Sequence, residues 1–356
     1  MTRFVQLHFL TAYPPSNPNR DDQGRPKTAI FGGVARLRLS SQSLKRAARL
    51  SDAMRVALEG HMGERTRRLG DEVRQHLMGK GAAEKQAGSI ARAIADTFGK
   101  LDEAGIRKNP AHVRIRQLAF VSPQERTAAF GWADRMLAGE HAPGNLKELV
   151  LRTADGAVDV AMFGRMLADD PQFNREAAVQ LSHAITTHQA VGEDDWYTAV
   201  DDLKRPSEDT GAVFVGEAGF GSGVYYLYAC IDTDLLVKNL AGDRALARRA
   251  LAAAVEAFAT ASPSGKRNSF SHHTRASYIR AESGPQQPRS LASAFLKPVA
   301  GEDLIAASVS ALEDMAGKFD RAYGPQAHEH ATMNVVAGVG DLAAIQSFVA
   351  RQIADA

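Results

Sequence analysis

NRDDQGRPKTAIFGGVARLRLSSQSLKRAAR, running from Asn19 to Arg49, is the stretch on which the reading of this chain turns. It holds eight Lys or Arg (Arg20, Arg25, Lys27, Arg36, Arg38, Lys45, Arg46 and Arg49) and two acids, Asp21 and Asp22. Its local charge is +6 in a chain whose net charge is +2, so all other residues sum to −4. Positive charge concentrated in a mildly acidic body attracts polyanions. Within the stretch, VARLRLS alternates, with Val34, Arg36 and Arg38 on one face and Ala35, Leu37 and Leu39 on the other. That is the pattern of a half-buried strand. Ser40 and Ser41 are good N-caps, and SQSLKRAAR then reads as a helix. At about 100° per residue, Gln42, Lys45, Arg46 and Arg49 share one stripe, and Leu44, Ala47 and Ala48 lie opposite. The stripe sits just past a helix N-terminus whose N–H groups suit a phosphate. The competing reading is a solvated helix face beside a strand.

Outward from this stretch, composition sets the bounds. At 356 residues the chain accommodates one large domain with insertions, or two. Apolar content of 44% is ordinary for a globular protein. Cys230 is the only cysteine, so neither a disulfide framework nor a Cys-based zinc site is expected. MTRFVQLHFLTAYPP lacks the pattern of a secretory signal, and no apolar run approaches about 18 residues, so the expected location is cytoplasmic, with no membrane partner.

Phe4–Ala12 reads as a strand, with Val5, Leu7 and Phe9 on one face and Gln6 and His8 on the other; Pro14, Pro15 and Pro18 end it. From about Ser51 to Gln189 the spacing is mostly helical, and residues 60–180 read as a helical insertion into a mixed α/β core. GRMLADDPQF reads as a loop. His183 and His188 are five apart where a helical zinc pair is four apart, which favours packing or capping over a metal. EDDWYTAVDDLKRPSEDTGAVFVGEAGFGSG (193–223) has the look of a projecting hairpin. Its Trp196 and Tyr197 are either core anchors or exposed platforms for a base. Val224–Asp232 is a strand, Ala245–Ala261 an alanine-rich helix, and Ser262–Ser271 a loop carrying Lys266 and Arg267. A strand at Arg275–Glu282, a helix at Glu302–Tyr323, a strand at Ala331–Val336 and a helix at Asp341–Ala354 complete the chain. Alternation of strand and helix stops near residue 55 and resumes after 224, as expected of one sheet split by an insertion.

Three blocks of sequence resemble one family. Asn19–Arg20–Asp21–Asp22, then Ala29–Ile30–Phe31–Gly32–Gly33, then Arg38 and Ser40–Ser41–Gln42–Ser43–Leu44–Lys45–Arg46–Ala47 form the first. Gly164–Arg165–Met166 is the second. Ser182–His183–Ala184–Ile185–Thr186–Thr187–His188–Gln189, followed by Asp195–Trp196–Tyr197–Thr198–Ala199–Val200–Asp201–Asp202–Leu203, is the third. Together they resemble the CasC backbone subunit of the type I-E CRISPR surveillance complex, Cascade.

The resemblance implies an α+β fold. A modified RNA-recognition-motif (ferredoxin-like) palm would occupy residues 1–59 and 224–356, a helical fingers insertion 60–189, and a β-hairpin thumb 190–223. It implies a subunit that binds guide RNA (crRNA) without catalysis and without a metal or other cofactor. Copies multimerise along the crRNA with other Cascade subunits of the CasA, CasB, CasD and CasE types, leaving bases free to pair with target DNA. Arg20, Lys27, Lys45, Arg46 and Arg49 are then expected at phosphates, with Ser40 and Gln42 as hydrogen-bond donors. Met166, Trp196 and Tyr197 are expected at bases or sugars, and Lys266 and Arg267 along the phosphate track. The lysine-rich finger helix of that family has no counterpart at Glu125–Arg152, which carries only Arg126, Arg135, Lys147 and Arg152; no residue there is assigned to DNA. Two alternatives remain open. Asp21 and Asp22 lie where the related type III backbone subunits carry a metal-dependent ribonuclease aspartate. Without the resemblance, a monomeric single-strand binder would also fit.

Overall fold

The computed structural model describes residues 4–199, 202 and 214–354. The expected hairpin at 190–223 therefore lies outside the described residues at 200, 201 and 203–213. The chain forms two compact units, one of Met1–Met54, Leu181–Ile231 and Leu251–Gln352, the other of Arg55–Gln180, Asp232–Ala250 and Ile353–Ala356. The fold is mixed α+β.

The first unit is built on an open sheet. Its strands include β1 (Phe4–Ser16), β2 (Thr28–Phe31), β3 (Val34–Leu39), β4 (Ala184–Thr186), β5 (Glu193–Ala199), β6 (Phe214–Asp232), β7 (Ala276–Gly284) and β8 (Glu329–Asn334). They run in the order β8-β7-β1-β6-β4-β3-β2, and β5 pairs with the far half of β6. The registers of β1 with β7, β7 with β8, β2 with β3, β3 with β4 and β4 with β6 are all antiparallel.

Alternation in β1 separates polar from apolar side chains rather than wet from dry, because helices cover both faces. Val5, Leu7 and Phe9 are buried, Phe9 edge-on to Phe258 of the Arg244–Thr260 helix at 6.3 Å. Gln6 and His8 are buried as well, beside the Leu304–Tyr323 helix and the Leu291–Phe295 segment. They survive there because each has partners. His8 Nδ1 meets the Tyr226 hydroxyl at 2.9 Å, and the Tyr228 hydroxyl donates to Gln6 Oε1 at 2.7 Å. The neighbouring buried Glu282 accepts from Arg280 at 2.6 Å and from Arg289 at 2.5 Å.

β3 departs from the reading of a strand with all its cations on a wet face. Arg36 is completely buried. Its guanidinium donates to the carbonyls of Phe31 (3.2 Å), Thr186 (3.0 Å) and Phe295 (2.7 Å). Hydrogen bonds to a charged group contribute about 1.5–3 kcal/mol each, while burying an ion costs several, so the two nearly cancel. What Arg36 secures is geometry, since one side chain ties the β2–β3 hairpin to two distant segments. The hairpin turns at Gly32–Gly33, with φ of +62° and +80°. Two successive positive φ values are the requirement of a type I′ turn. A Cβ at Gly32 would also collide with the Leu296 carbonyl.

The second unit is helical, as the spacing predicts. The Leu69–Gly79, Glu84–Asp96 and Pro123–Leu137 helices close on Val73, Leu77, Ile90, Ala91, Ile94, Ala129 and Ala133. Its two paired strands, Glu64–Thr66 and Ala119–Val121, are three residues each, too short to leave an alternating pattern. Gly164–Phe173 is a loop that ends in a single 3₁₀ turn at Pro171–Phe173. Among the described residues, no helix is long and apolar enough to cross a membrane.

Candidate nucleic-acid interface

Ser41–Arg49 is a helix whose N-terminus is closed by the protein itself. Ser40 is its N-cap, buried, with Oγ accepting the Ser43 N–H at 3.3 Å. His183 Nδ1 accepts the Ser41 N–H at 2.8 Å, and Asn19 Oδ1 accepts the Ser40 N–H at 2.7 Å. The expectation that this terminus offers its N–H groups to a phosphate is thus corrected at Ser41 and Ser43, whose amides already have partners. His183 does the capping that its spacing from His188 allowed. What the helix presents is its side chains. Gln42 and Arg46 are exposed, Lys45 and Arg49 are half-buried, and Leu44 and Ala48 face the core. Burial holds the Lys45 ammonium below its ordinary value.

The loop before β2 is braced from both ends. Asp21 Oδ1 accepts the N–H groups of Gln23 and Arg25, each at 2.9 Å, which organises the turn; Asp22 is exposed. Asn17 Nδ2 donates to the Gly24 and Gly219 carbonyls at 2.9 and 2.8 Å. Arg25 pairs with Glu217 (3.1 Å) and Asp194 (3.6 Å) on the β5–β6 ribbon. A Cβ on Gly265 would strike the Pro18 carbonyl, so glycine there lets the Ser262–Arg267 loop lie directly against this one.

That contact assembles the cations. Arg20, Arg46, Arg267 and His273 line one groove of about 780 Å³, with Asp52 and Glu256 on its walls. Arg20 also faces a second cleft of about 420 Å³ with Arg25 and Lys266. Arg267 is held in place by donating to the Ser262 carbonyl at 2.5 Å. Lys27 sits partly exposed where Arg38 N–H bonds its carbonyl at 2.8 Å. His273 is a groove residue that sequence reasoning missed, since an isolated histidine between strands carries no pattern.

The aromatic pair stands clear of the core. Trp196 is 69% exposed and Tyr197 46% exposed, on β5 opposite Glu217 and Gly216. Tyr197 lies over Gly216, where no side chain intervenes, 6.1 Å from the Phe214 ring.

In the second unit the Gly-Arg-Met motif divides its labour. Gly164 turns the chain at φ +79°. Arg165 is buried and donates to both Glu125 oxygens at 2.7 and 2.6 Å. Arg175 joins from the other side, bonding Asp155 at 2.6 Å. Glu125 meanwhile completes the Ser122 capping box. Held this way, Met166 projects 75% exposed. Of the four cations at 125–152, Arg126 pairs with Glu64 at 3.0 Å and with Glu72, Lys147 pairs with Asp170 at 2.9 Å, and Arg135 lies over the Trp132 ring at 4.7 Å.

The model of the CT1975-like protein family matches residues 5–352. A solved chain described as a CRISPR RNA-guided surveillance complex, pre-nicking, superposes with a TM-score of 0.83 at 30% identity, covering 98% of this chain and 100% of that one. Another, described as a CRISPR RNA-guided surveillance complex, gives 0.73 at 26% identity, covering 98% and 99%. No curated protein sequence matches. With the family's model spanning nearly every residue of the fold and interface just described, the chain belongs to the CT1975-like protein family of Cascade backbone subunits.

Proposed function

We propose that this protein is a non-catalytic guide-RNA-binding backbone subunit of a type I-E CRISPR Cascade complex. Copies line up along the crRNA beside CasA-, CasB-, CasD- and CasE-type subunits, and the guide so held base-pairs with target DNA in antiviral defence. In this reading the sheet-based unit is a modified RNA-recognition-motif palm, the helical unit the fingers, and the β5–β6 ribbon the thumb. The solved relatives are described as RNA-guided, and RNA guidance is what is carried over from them. The observation that carries the proposal is the position of Arg20. It faces both clefts, so Arg46, Arg267 and Lys266 form one cationic track around it. Phosphate neutralisation by such a track needs no base-specific contact, as expected when pairing reads the sequence.

The test is the salt dependence of RNA binding by the purified protein. About four phosphates neutralised per copy gives log affinity against log salt a slope of about −3, at about −0.7 per phosphate. Arg46→Ala with Lys266→Ala, both exposed, should flatten that slope by about 1.4. A slope unchanged in the double variant removes the track from the interface and overturns the proposal.

A further inference from the structure

We infer that Glu217 and Asp194 form an acidic clasp on Arg25 that withholds this cation from RNA, so that the strength of phosphate binding is held down from within the chain. This rests on the RNA-binding reading above and adds a restraint to that same surface.

The clasp is built from two pieces of backbone in contact. In the β5–β6 ribbon Asp194 is opposite Gly219 and Trp196 opposite Glu217. Opposite residues of an antiparallel pair share a face, as do residues two apart on one strand. Asp194, Trp196 and Glu217 therefore project from the side on which Gly219 leaves room. That side meets the basic loop. A Cβ on Gly219 would come within 3.0 Å of Pro26 Cδ and 3.5 Å of Arg25 Cα, and Asn17 Nδ2 donates to the Gly219 carbonyl at 2.8 Å. From there Arg25 Nη2 reaches Glu217 Oε1 at 3.1 Å and Asp194 Oδ2 at 3.6 Å.

Three observations make these acids competitors for phosphate rather than a brace. The loop stands without them, because Asp21 N–H donates to the Arg25 carbonyl and Asp21 Oδ1 accepts the Arg25 N–H, each at 2.9 Å. The Arg25 backbone is thus fixed whatever its side chain does. The ion pairs are also open to solvent, with the Arg25, Asp194 and Glu217 side chains 54%, 40% and 38% exposed. Exposed pairs are weak and screened by salt, so they exchange partners readily. Finally, the acid sits inside the cationic site. Glu217 lines the cleft of about 420 Å³ with Arg20 and Lys266, neither of which forms an ion pair among the described residues. A carboxylate offers a guanidinium the same two-oxygen edge as a phosphate. Here it takes that place on Arg25, directly across the ribbon from Trp196.

The experiment measures binding of a labelled guide RNA across a salt series by four full-length proteins. They are the unaltered chain, Asp194→Asn with Glu217→Gln, Arg25→Gln, and all three changes together. The amides keep the size of the acids and drop the charge. One more cation free for phosphate steepens the slope of log affinity against log salt by about 0.7, so the acid-neutralised variant should bind about fivefold tighter at about 0.1 M salt. Arg25→Gln alone should change affinity by less than about twofold, and in the triple variant it should abolish the gain. Unchanged or weaker binding by the acid-neutralised variant overturns the clasp, the weaker case meaning that the acids position Arg25 for RNA. A gain that survives Arg25→Gln overturns it too, since general repulsion then explains the gain. A several-fold loss on Arg25→Gln alone does the same and requires no acid variant to fold. No RNA bound by any of the four proteins overturns the RNA-binding reading instead.

Discussion

At the scale of single residues, several side chains here brace the candidate interface without lining it. Arg36 belongs by charge to the basic stretch and by position to the core, because the strand carrying it has covered neighbours on that face. A sequence shows the charge and not the cover, so Arg36 could not be told from Arg38 before the fold was known. His183 is the reverse case, a residue with an ambiguous pattern and a definite job. Its Nδ1 accepts the Ser41 N–H only while the ring is neutral at that atom. Desolvation first, then the charges of Arg38 and Lys27, lower its pKa from the ordinary 6.5. The folded state therefore binds fewer protons than the unfolded chain, and stability rises with pH through this window. The contribution is complete above the ordinary value and is lost as pH falls through it towards the lower folded value. Because the ring is exposed, screening keeps the effect small, and Tm should fall by about 1–2 °C on its account between about pH 7.5 and about pH 5.5. His183→Gln keeps an acceptor that does not titrate, so this part of the acid sensitivity should vanish in a thermal melt series, while that of buried His8 stays. Identical pH dependence in the two proteins would show that His183 does not couple the helix cap to protons.

Elements were legible where pattern and packing coincide. The strand at Val224–Asp232, the basic helix and the C-terminal helix–strand–helix series all follow from periodicity, and the structure extends the first back to Phe214 through its glycines. The three-residue strands were not legible, because a period needs more residues than they have. Exposure of Trp196 and Tyr197 could not be decided from spacing either; it follows from the two-stranded ribbon, which has no helix over that side chain pair among the described residues. This exposure makes a prediction about β5. Base stacking on an aromatic side chain contributes about 1–3 kcal/mol, so Trp196→Ala should weaken binding to RNA by about 5- to 150-fold with little change in Tm. Fluorescence anisotropy with a labelled guide, paired with a melt of the free protein, separates the two. Unchanged affinity would make Trp196 a bystander in RNA binding. A large fall in Tm would instead reveal a packing role.

For the whole molecule, charge distribution was the feature best read in advance, and its spatial consequence the least. Arg20, Arg46, Lys266 and Arg267 are spread over almost 250 positions of sequence, and only the approach of Gly265 to Pro18 makes them one track. A track that fits phosphate without reading bases has no reason to stop at one register, so nothing in its chemistry limits how many copies an RNA carries. Repetition of one protomer along a strand demands a heterologous contact that does not close on itself. The proposed backbone role then has a direct physical consequence. Bound to RNAs of increasing length and weighed by native mass spectrometry, the protein should add mass in increments of one 38.3 kDa protomer, with the count rising in proportion to RNA length. Saturation at one copy on every length would mean that the groove holds RNA as a monomeric clamp, and the proposed filament would have to be abandoned even though the phosphate track survived. Saturation at two would point to a closed dimer, which a linear backbone cannot use.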